Sequence, residues 1–320
     1  MRAVHFENGR VELRDVAKPR LRQGYAMIEM RLAGICNTDL ELLGGYYGFS
    51  GIPGHEFVGE VVECAERRWI GKRVVGEINL ACGRCQYCAQ GWGRHCPKRS
   101  VLGIVKHPGA FADYLTLPVE NLLQVPSEML DEYAVFTEPV AAACEILEQL
   151  DLGAREEVAV LGDGKLGLLI AQVLALRGCK VTAFGRNRAK LDVLKPLDIQ
   201  TVLVKREAPK MPKAAFPYVV DATGSAAGFI EAIDMVRPRG TIVMKSTVKD
   251  RVAADMAKVI VNEITLLGSR CGRFAPALKL IRGGELNLGA MIDAWVPLDH
   301  ADMGLGLAKE PGILKVLLSR

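Results

Sequence analysis

The chain changes texture near residue 149. Before that point apolar runs are short: Tyr25 to Leu32, Phe57 to Glu63, Arg73 to Ile78 and Tyr114 to Leu117, each broken off by glycine or proline. Short runs bounded by turn residues predict strands joined by long loops. After that point strand-like and helix-like runs alternate. Val158 to Leu161 predicts a buried strand, Leu166 to Arg177 a helix stopped by Gly178, and Val181 to Phe184 the next strand. Tyr218 to Asp221, Thr241 to Lys245 and Ile264 to Leu267 continue the strands, with helices around Phe229 to Val236 and Ala253 to Val261. Such alternation implies α/β architecture, a Rossmann doubly wound parallel sheet covered on both faces. Beyond about residue 270 the pattern loosens, and Trp295 to Leu298 and Ile313 to Leu318 read as strands able to rejoin the first domain. The expected domains are residues 1–148, mostly β; 149–270, the doubly wound α/β part; and 271–320, a return to the first.

Bulk composition narrows the function. A length of 320 residues suits two cores. The net charge is +4, from 41 basic and 37 acidic residues spread along the chain, which favours neither nucleic acid nor a membrane surface. No apolar run reaches the ~18 residues of a membrane span, and the start, Met1 to Glu7, has no signal-peptide pattern. Nine cysteines without an export signal point to a reducing cytoplasm, where thiols bind metal rather than pair. Cys64, Cys144, Cys179 and Cys271 fit no ligand spacing and read as small buried hydrophobes.

The other cysteines are more informative. Cys82, Cys85, Cys88 and Cys96 are spaced C-x2-C-x2-C-x7-C within a lobe at 80–98, with Gly83, Gly91 and Gly93 supplying turns. Four thiolates at this spacing close a tetrahedral zinc site with no open position, so this zinc is expected to be structural.

The run from Val158 to Leu161 leads directly into Gly162-Asp163-Gly164-Lys165-Leu166-Gly167, a G-x-G-x-x-G between strand and helix. In that setting the motif binds a dinucleotide pyrophosphate. Gly162 permits the turn, Gly164 lets the phosphates approach, Gly167 allows helix-strand packing, and the helix N-terminus offers free N–H groups. The next strand ends in Gly185-Arg186-Asn187-Arg188, where an NAD site usually has an acid, and no acid follows until Asp192. Arg186 or Arg188 can pair with a 2′-phosphate, so NADP(H) is expected over NAD(H). Two solvated loop arginines are the alternative.

Three further segments are unremarkable singly: Cys36-Asn37-Thr38-Asp39, Gly54-His55-Glu56 and Thr137-Glu138-Pro139. Together with the four-cysteine lobe and the later glycine fingerprint they resemble the zinc-dependent medium-chain alcohol dehydrogenase family, in the family's order. The Glu-Pro segment is similar to the branch handling polyols, sugars and threonine. The resemblance covers most of the chain. It implies a mostly-β GroES-like catalytic domain carrying the structural zinc lobe. It further implies a catalytic zinc on Cys36 and His55, with Glu56 and Glu138 as further ligands or alternates. A thiolate, an imidazole and a carboxylate suit Zn²⁺ and leave a position for water or substrate.

The mechanism implied is hydride transfer between an alcohol or carbonyl substrate and nicotinamide, with zinc as Lewis acid. Thr38 matches the family position that relays the substrate proton. Many relatives have histidine where this chain has Glu41, so Glu41 either substitutes or is bypassed. Thr223, in Asp221-Ala222-Thr223-Gly224, and Arg270, in Gly268-Ser269-Arg270, are candidate cofactor contacts, as is Lys245-Ser246-Thr247. Tyr46, Tyr47 and Phe49 are candidates for lining the substrate side. The part after the second domain is shorter than in most relatives, which leaves the substrate open. A small-molecule partner and a homodimer or homotetramer are expected, with no nucleic acid and no membrane. Two other readings compete: a catalytically inactive cofactor-binding relative, and a zinc-ribbon nucleic-acid binder suggested by the lobe and its flanking Arg84, Arg94, Lys98 and Arg99.

Overall fold

The computed structural model describes residues 1–204, 211–248 and 251–320. The chain divides into two compact units. One comprises Met1–Glu138, Phe274–Arg282 and Ile292–Arg320; the other comprises Pro139–Arg273 and Gly283–Met291. The first division falls inside the helix Thr137–Gln149, ahead of the expected boundary at 148. The segment Gly283–Met291 also departs from the expected grouping of 271–320. Asn287 explains this: its backbone N–H donates to Gln172 Oε1 at 2.7 Å and its Nδ2 to the Val193 carbonyl at 2.9 Å.

The main sheet of the first unit runs Leu122–Gln124, Arg73–Gly76, Glu56–Cys64, Tyr25–Gly34, Lys315–Ser319, Ile292–Pro297, with Tyr114–Pro118 also paired to Tyr25–Gly34. Tyr25–Gly34 is the spine: Ala26, Met27, Ile28, Met30 and Ala33 are all buried along it. The late strands rejoin this sheet. Leu317 stands opposite Gly34 and Leu318 opposite Ala33 in antiparallel register, and Ile292–Pro297 adds in parallel to Lys315–Ser319. A separate hairpin pairs Arg2–Glu7 with Arg10–Asp15 around Asn8 and Gly9, both at positive φ (49° and 73°). Two such residues make the two-residue turn whose twist matches the flanking strands.

The second unit holds six parallel strands in the order Gln200–Leu203, Lys180–Gly185, Glu157–Leu161, Phe216–Asp221, Val236–Met244, Thr265–Gly268. The chain enters at the middle, winds to one edge, and returns past the start to the other, the doubly wound order that sets a nucleotide site at the carboxyl ends of the strands. Val158, Ala159, Val160 and Leu161 are all buried, which is why that run is continuously apolar rather than alternating. The helix expected from Ala253 begins later, at Met256–Val261, where the Asp255 side chain accepts the Ala257 N–H at 3.1 Å and caps it.

Candidate active site

The spine strand ends at Gly34 and delivers Cys36 to the N-cap of the helix Asn37–Leu43. His55 stands one residue before the strand Glu56–Cys64. One buried carboxylate fixes both segments. Asp39 Oδ2 accepts the Cys36 N–H at 2.8 Å, and its Oδ1 accepts the Gly54 N–H at 3.2 Å. Gly54 sits at φ +98°, and a Cβ there would strike the Phe111 ring. The ligand atoms of Cys36, His55 and Glu56 consequently lie within 4.8 Å of one another.

This constellation fits zinc. His55 Nδ1 is buried without a hydrogen-bond partner among the described residues; Asp39 Oδ1 is 3.3 Å away but out of line. Burial alone would lower the pKa of His55, yet the neighbouring charge of Asp39 and the Cys36 thiol outweigh burial and raise it well above the usual value. The pocket therefore favours positive charge, and its sulfur, nitrogen and oxygen donors are those zinc takes.

Lys315 lies beneath this group. Its side chain is fully buried and its ammonium donates to Glu56 Oε2. Burial would lower its pKa, but Glu56, Cys36 and Asp39 turn this round and raise it. Gly34 makes room, because a Cβ there would collide with the Glu56 carboxylate and lie 2.9 Å from Val135 Cγ1. The Phe136 ring stands 5.5 Å from Lys315 Nζ.

The other expected residues are placed as follows. Thr38 Oγ1 lies 3.9 Å from Cys36 Sγ. Glu41 is exposed on the same short helix. Glu138, half-buried in the first turn of Thr137–Gln149, stands outside the 4.8 Å group. Phe49 packs edge-on against Phe6, with ring centroids 6.3 Å apart, so packing accounts for it. The Tyr47 side chain lies outside the described residues.

In the lobe, Cys85 Sγ is 3.4 Å from Cys88 Sγ and 3.6 Å from Cys96 Sγ, and Cys82 and Cys88 are 4.0 Å apart. Four sulfurs about 2.3 Å from one zinc stand about 3.8 Å from each other, so the spacing matches a tetrahedral site. These separations are too long for disulfides. A backbone hydrogen bond from Arg84 draws the Cys82 thiol down to about 6, while burial pushes Cys88 up to about 11. Thiols so crowded resist ionising together unless a cation neutralises them.

The glycine fingerprint lies between the strand Glu157–Leu161 and the helix Lys165–Leu176. Gly162 adopts φ +114°, and a Cβ there would lie 2.7 Å from the Ala222 carbonyl. A Cβ on Gly164 would meet nothing within 4 Å, so its face is open to a ligand. A Cβ on Gly167 would collide with the Gly162 carbonyl. Lys165 and Leu166 open the helix Lys165–Leu176, whose N-terminus suits a pyrophosphate. Asp163 turns toward Gly185, and its Oδ2 accepts the N–H groups of Arg186 and Asn187, each at 2.6 Å. No acid follows that strand along the chain before Asp192, yet the fingerprint loop brings one beside its end. Arg186 and Arg188 are exposed, and Asn187 caps the next helix by accepting the Lys190 N–H at 3.2 Å. The Thr223 hydroxyl donates to Asp221 Oδ1 at 2.7 Å, and the Arg270 carbonyl accepts from Lys245 Nζ at 2.8 Å.

Known proteins share this design. Residues 22–127 match the family described as alcohol dehydrogenase GroES-like domain, and residues 166–282 match the zinc-binding dehydrogenase family. An L-threonine 3-dehydrogenase of Chelativorans sp. is 33% identical, over 95% of this chain and 93% of its own. A D-altritol 5-dehydrogenase of Agrobacterium fabrum is 31% identical, over 84% of each. The chain belongs to the zinc-dependent medium-chain alcohol dehydrogenase family. A zinc-binding dehydrogenase structure from Sinorhizobium meliloti 1021, bound to NADP, superposes with a TM-score of 0.90 at 25% identity, covering 100% of this chain and 99% of that one.

As a member of this family the chain is a zinc-dependent, NAD(P)-dependent alcohol or polyol oxidoreductase with a GroES-like and a Rossmann domain. The four-cysteine lobe lies inside the matched GroES-like region, which removes the ground for a nucleic-acid-binding ribbon. Two residues that shape the Cys36, His55 and Glu56 cluster carry no assignment in the sequence analysis. Asp39 was visible in the Cys36 segment but carried no assigned role. Lys315 had a signal of its own: it is the one charged residue in the apolar run from Ile313 to Leu318.

Proposed function

We propose that this dehydrogenase acts on a small secondary alcohol that carries a neighbouring hydroxyl or amino group. D-Altritol 5-dehydrogenase and L-threonine 3-dehydrogenase are by name enzymes for such alcohols. The observation that carries the reading is the convergence of Cys36, His55 and Glu56 within 4.8 Å, held by Asp39. Cys36 and His55 hold the catalytic zinc, with Glu56 and Glu138 as further or alternate ligands. Zinc bound there supplies a Lewis acid that polarises the substrate oxygen. The Gly162–Gly167 fingerprint would hold the dinucleotide, whose nicotinamide would supply the hydride-transfer chemistry.

The chain's own residues manage the proton. The Thr38 hydroxyl, beside Cys36, takes the substrate proton. Glu41, three residues on and exposed, lies on the same helix face and passes it to water. Cys82, Cys85, Cys88 and Cys96 hold a second, structural zinc. Nine cysteines, none of them in a disulfide, support a reducing, cytoplasmic setting. A homodimer or homotetramer belongs to the same reading, and a solution mass measurement tests it.

The test is a screen of secondary polyols, threonine and the matching ketones, following reduced nicotinamide absorbance with each cofactor, on parent and His55→Ala. Turnover is expected in the parent and none in the variant, with nicotinamide cofactor binding kept. An inert parent carrying a single zinc would instead indicate an inactive cofactor-binding relative.

A further inference from the structure

The strand Lys180–Gly185 ends where a nucleotide fold ordinarily presents the acid that binds the adenosine ribose hydroxyls. Here it presents Gly185. The room a side chain would need is already taken, because a Cβ at 185 would lie 2.6 Å from Asp163 Cβ and 2.7 Å from Asp163 Oδ2. The carboxylate is pinned in that place by the consecutive N–H groups of Arg186 and Asn187, each donating to Oδ2 at 2.6 Å. Two successive N–H groups converging on one point make an anion-binding nest. A 2′-phosphate would be drawn to such a nest, and the chain has filled it with its own carboxylate. The second oxygen, Oδ1, receives no hydrogen bond among the described residues.

We propose that Asp163 is the ribose-reading carboxylate of this chain. Its Oδ1 accepts from the adenosine ribose hydroxyls, and its fixed charge works against a 2′-phosphate. The proposal rests on the dinucleotide reading above and makes NAD(H) the preferred cofactor. Arg186 and Arg188 do not reverse this. Their side chains are exposed and screened, whereas the carboxylate is held in the turn by two hydrogen bonds. Gly185 and Asp163 act as one unit: the glycine leaves the space and the aspartate fills it from another loop. An acid introduced at 185 would collide with the one already there.

The experiment is calorimetric titration of the zinc-loaded protein with 5′-AMP and with adenosine 2′,5′-bisphosphate, which differ only in the 2′-phosphate, alongside NADH and NADPH. The parent should bind 5′-AMP at least tenfold more tightly than the bisphosphate, and NADH more tightly than NADPH. Asp163→Asn keeps an oxygen for the two N–H groups and removes the charge. It should shrink the preference tenfold or more while the melting temperature stays within a few degrees. Asp163→Ser, which empties the nest, should shift the ratio the same way and provides a second reading if the first variant folds poorly. A parent that favours the bisphosphate, or a ratio equal in parent and variants, overturns the assignment of Asp163. Binding of neither dinucleotide would overturn the dinucleotide reading itself, and this proposal with it.

Discussion

Lys315 and Glu56 form an ion pair in which both side chains are closed off from solvent. Such a pair is weak evidence of net stability, because desolvation of two charges offsets their attraction. Its consequence is positional: it holds the Glu56 carboxylate beside Cys36 and His55 and gives it a cation whether or not metal is present. Lys315→Met leaves that carboxylate buried alone and should lower stability by about 3–5 kcal/mol. The double change Lys315→Met with Glu56→Gln should recover more than half of the loss. Urea denaturation of the three metal-free proteins measures this, and a single variant as stable as the parent contradicts it.

Thr38 tests the proton path. If its hydroxyl carries the substrate proton, Thr38→Ala should lower kcat by roughly 10²-fold or more, within the range of positioned acid-base groups. Thr38→Ser should retain most of the rate. Equal losses in both variants would point to packing beside Cys36 instead of a hydroxyl role.

The lobe gives a metal-removal prediction. Cys85 Sγ stands between Cys88 and Cys96 at 3.4 and 3.6 Å. Cys85→Ser should release one zinc and lower the melting temperature, because structural metal binding is coupled to folding of its loop. Metal analysis beside a thermal melt checks both. One zinc lost with an unchanged melt would show that the lobe folds without it.

Asp113 should give stability a dependence on pH. Its Oδ1 accepts from Arg2 at 2.8 Å and from Arg320 at 3.3 Å, and its Oδ2 accepts the Arg2 backbone N–H at 2.7 Å. Burial raises its pKa, but the hydrogen bonds and charge of Arg2, then Arg320, outweigh this and leave it lowered. A depressed folded pKa means that the stabilisation is present above the unfolded value, ~3.9, and is lost as pH falls through the folded one. Asp113→Asn should therefore cost about 1–2 kcal/mol at pH 7, the scale of a partly exposed charged hydrogen bond. The difference should narrow below about pH 4. Denaturation at pH 7, 5 and 3.5 shows whether it does; a constant gap would rule the charge out as its source.

Features carried by residue type at short spacing were legible in the sequence. The four cysteines of the lobe, the three glycines of the fingerprint and the Gly54-His55-Glu56 step each announce their geometry locally. The hairpin at Asn8-Gly9 was equally legible, since that dipeptide favours its turn, yet it passed unread. The helix Thr137–Gln149 was masked by Pro139, a residue that breaks helix interiors but is tolerated in a first turn. What could not be read was pairing across distance. Lys315 means little until the strand Lys315–Ser319 is laid against Gly34. Gly185 looks like a missing acid until Asp163 is seen in the space beside it.

The separation of Glu56 from Lys315 also orders events on the ribosome. The two are 259 residues apart. At roughly 5–20 residues per second, translation takes about 13–50 s to pass from one to the other. Cys36, His55 and Glu56 thus emerge as a nascent loop long before their lysine is made. The ion pair of the pocket can therefore close only once the final strand, Lys315–Ser319, has been made.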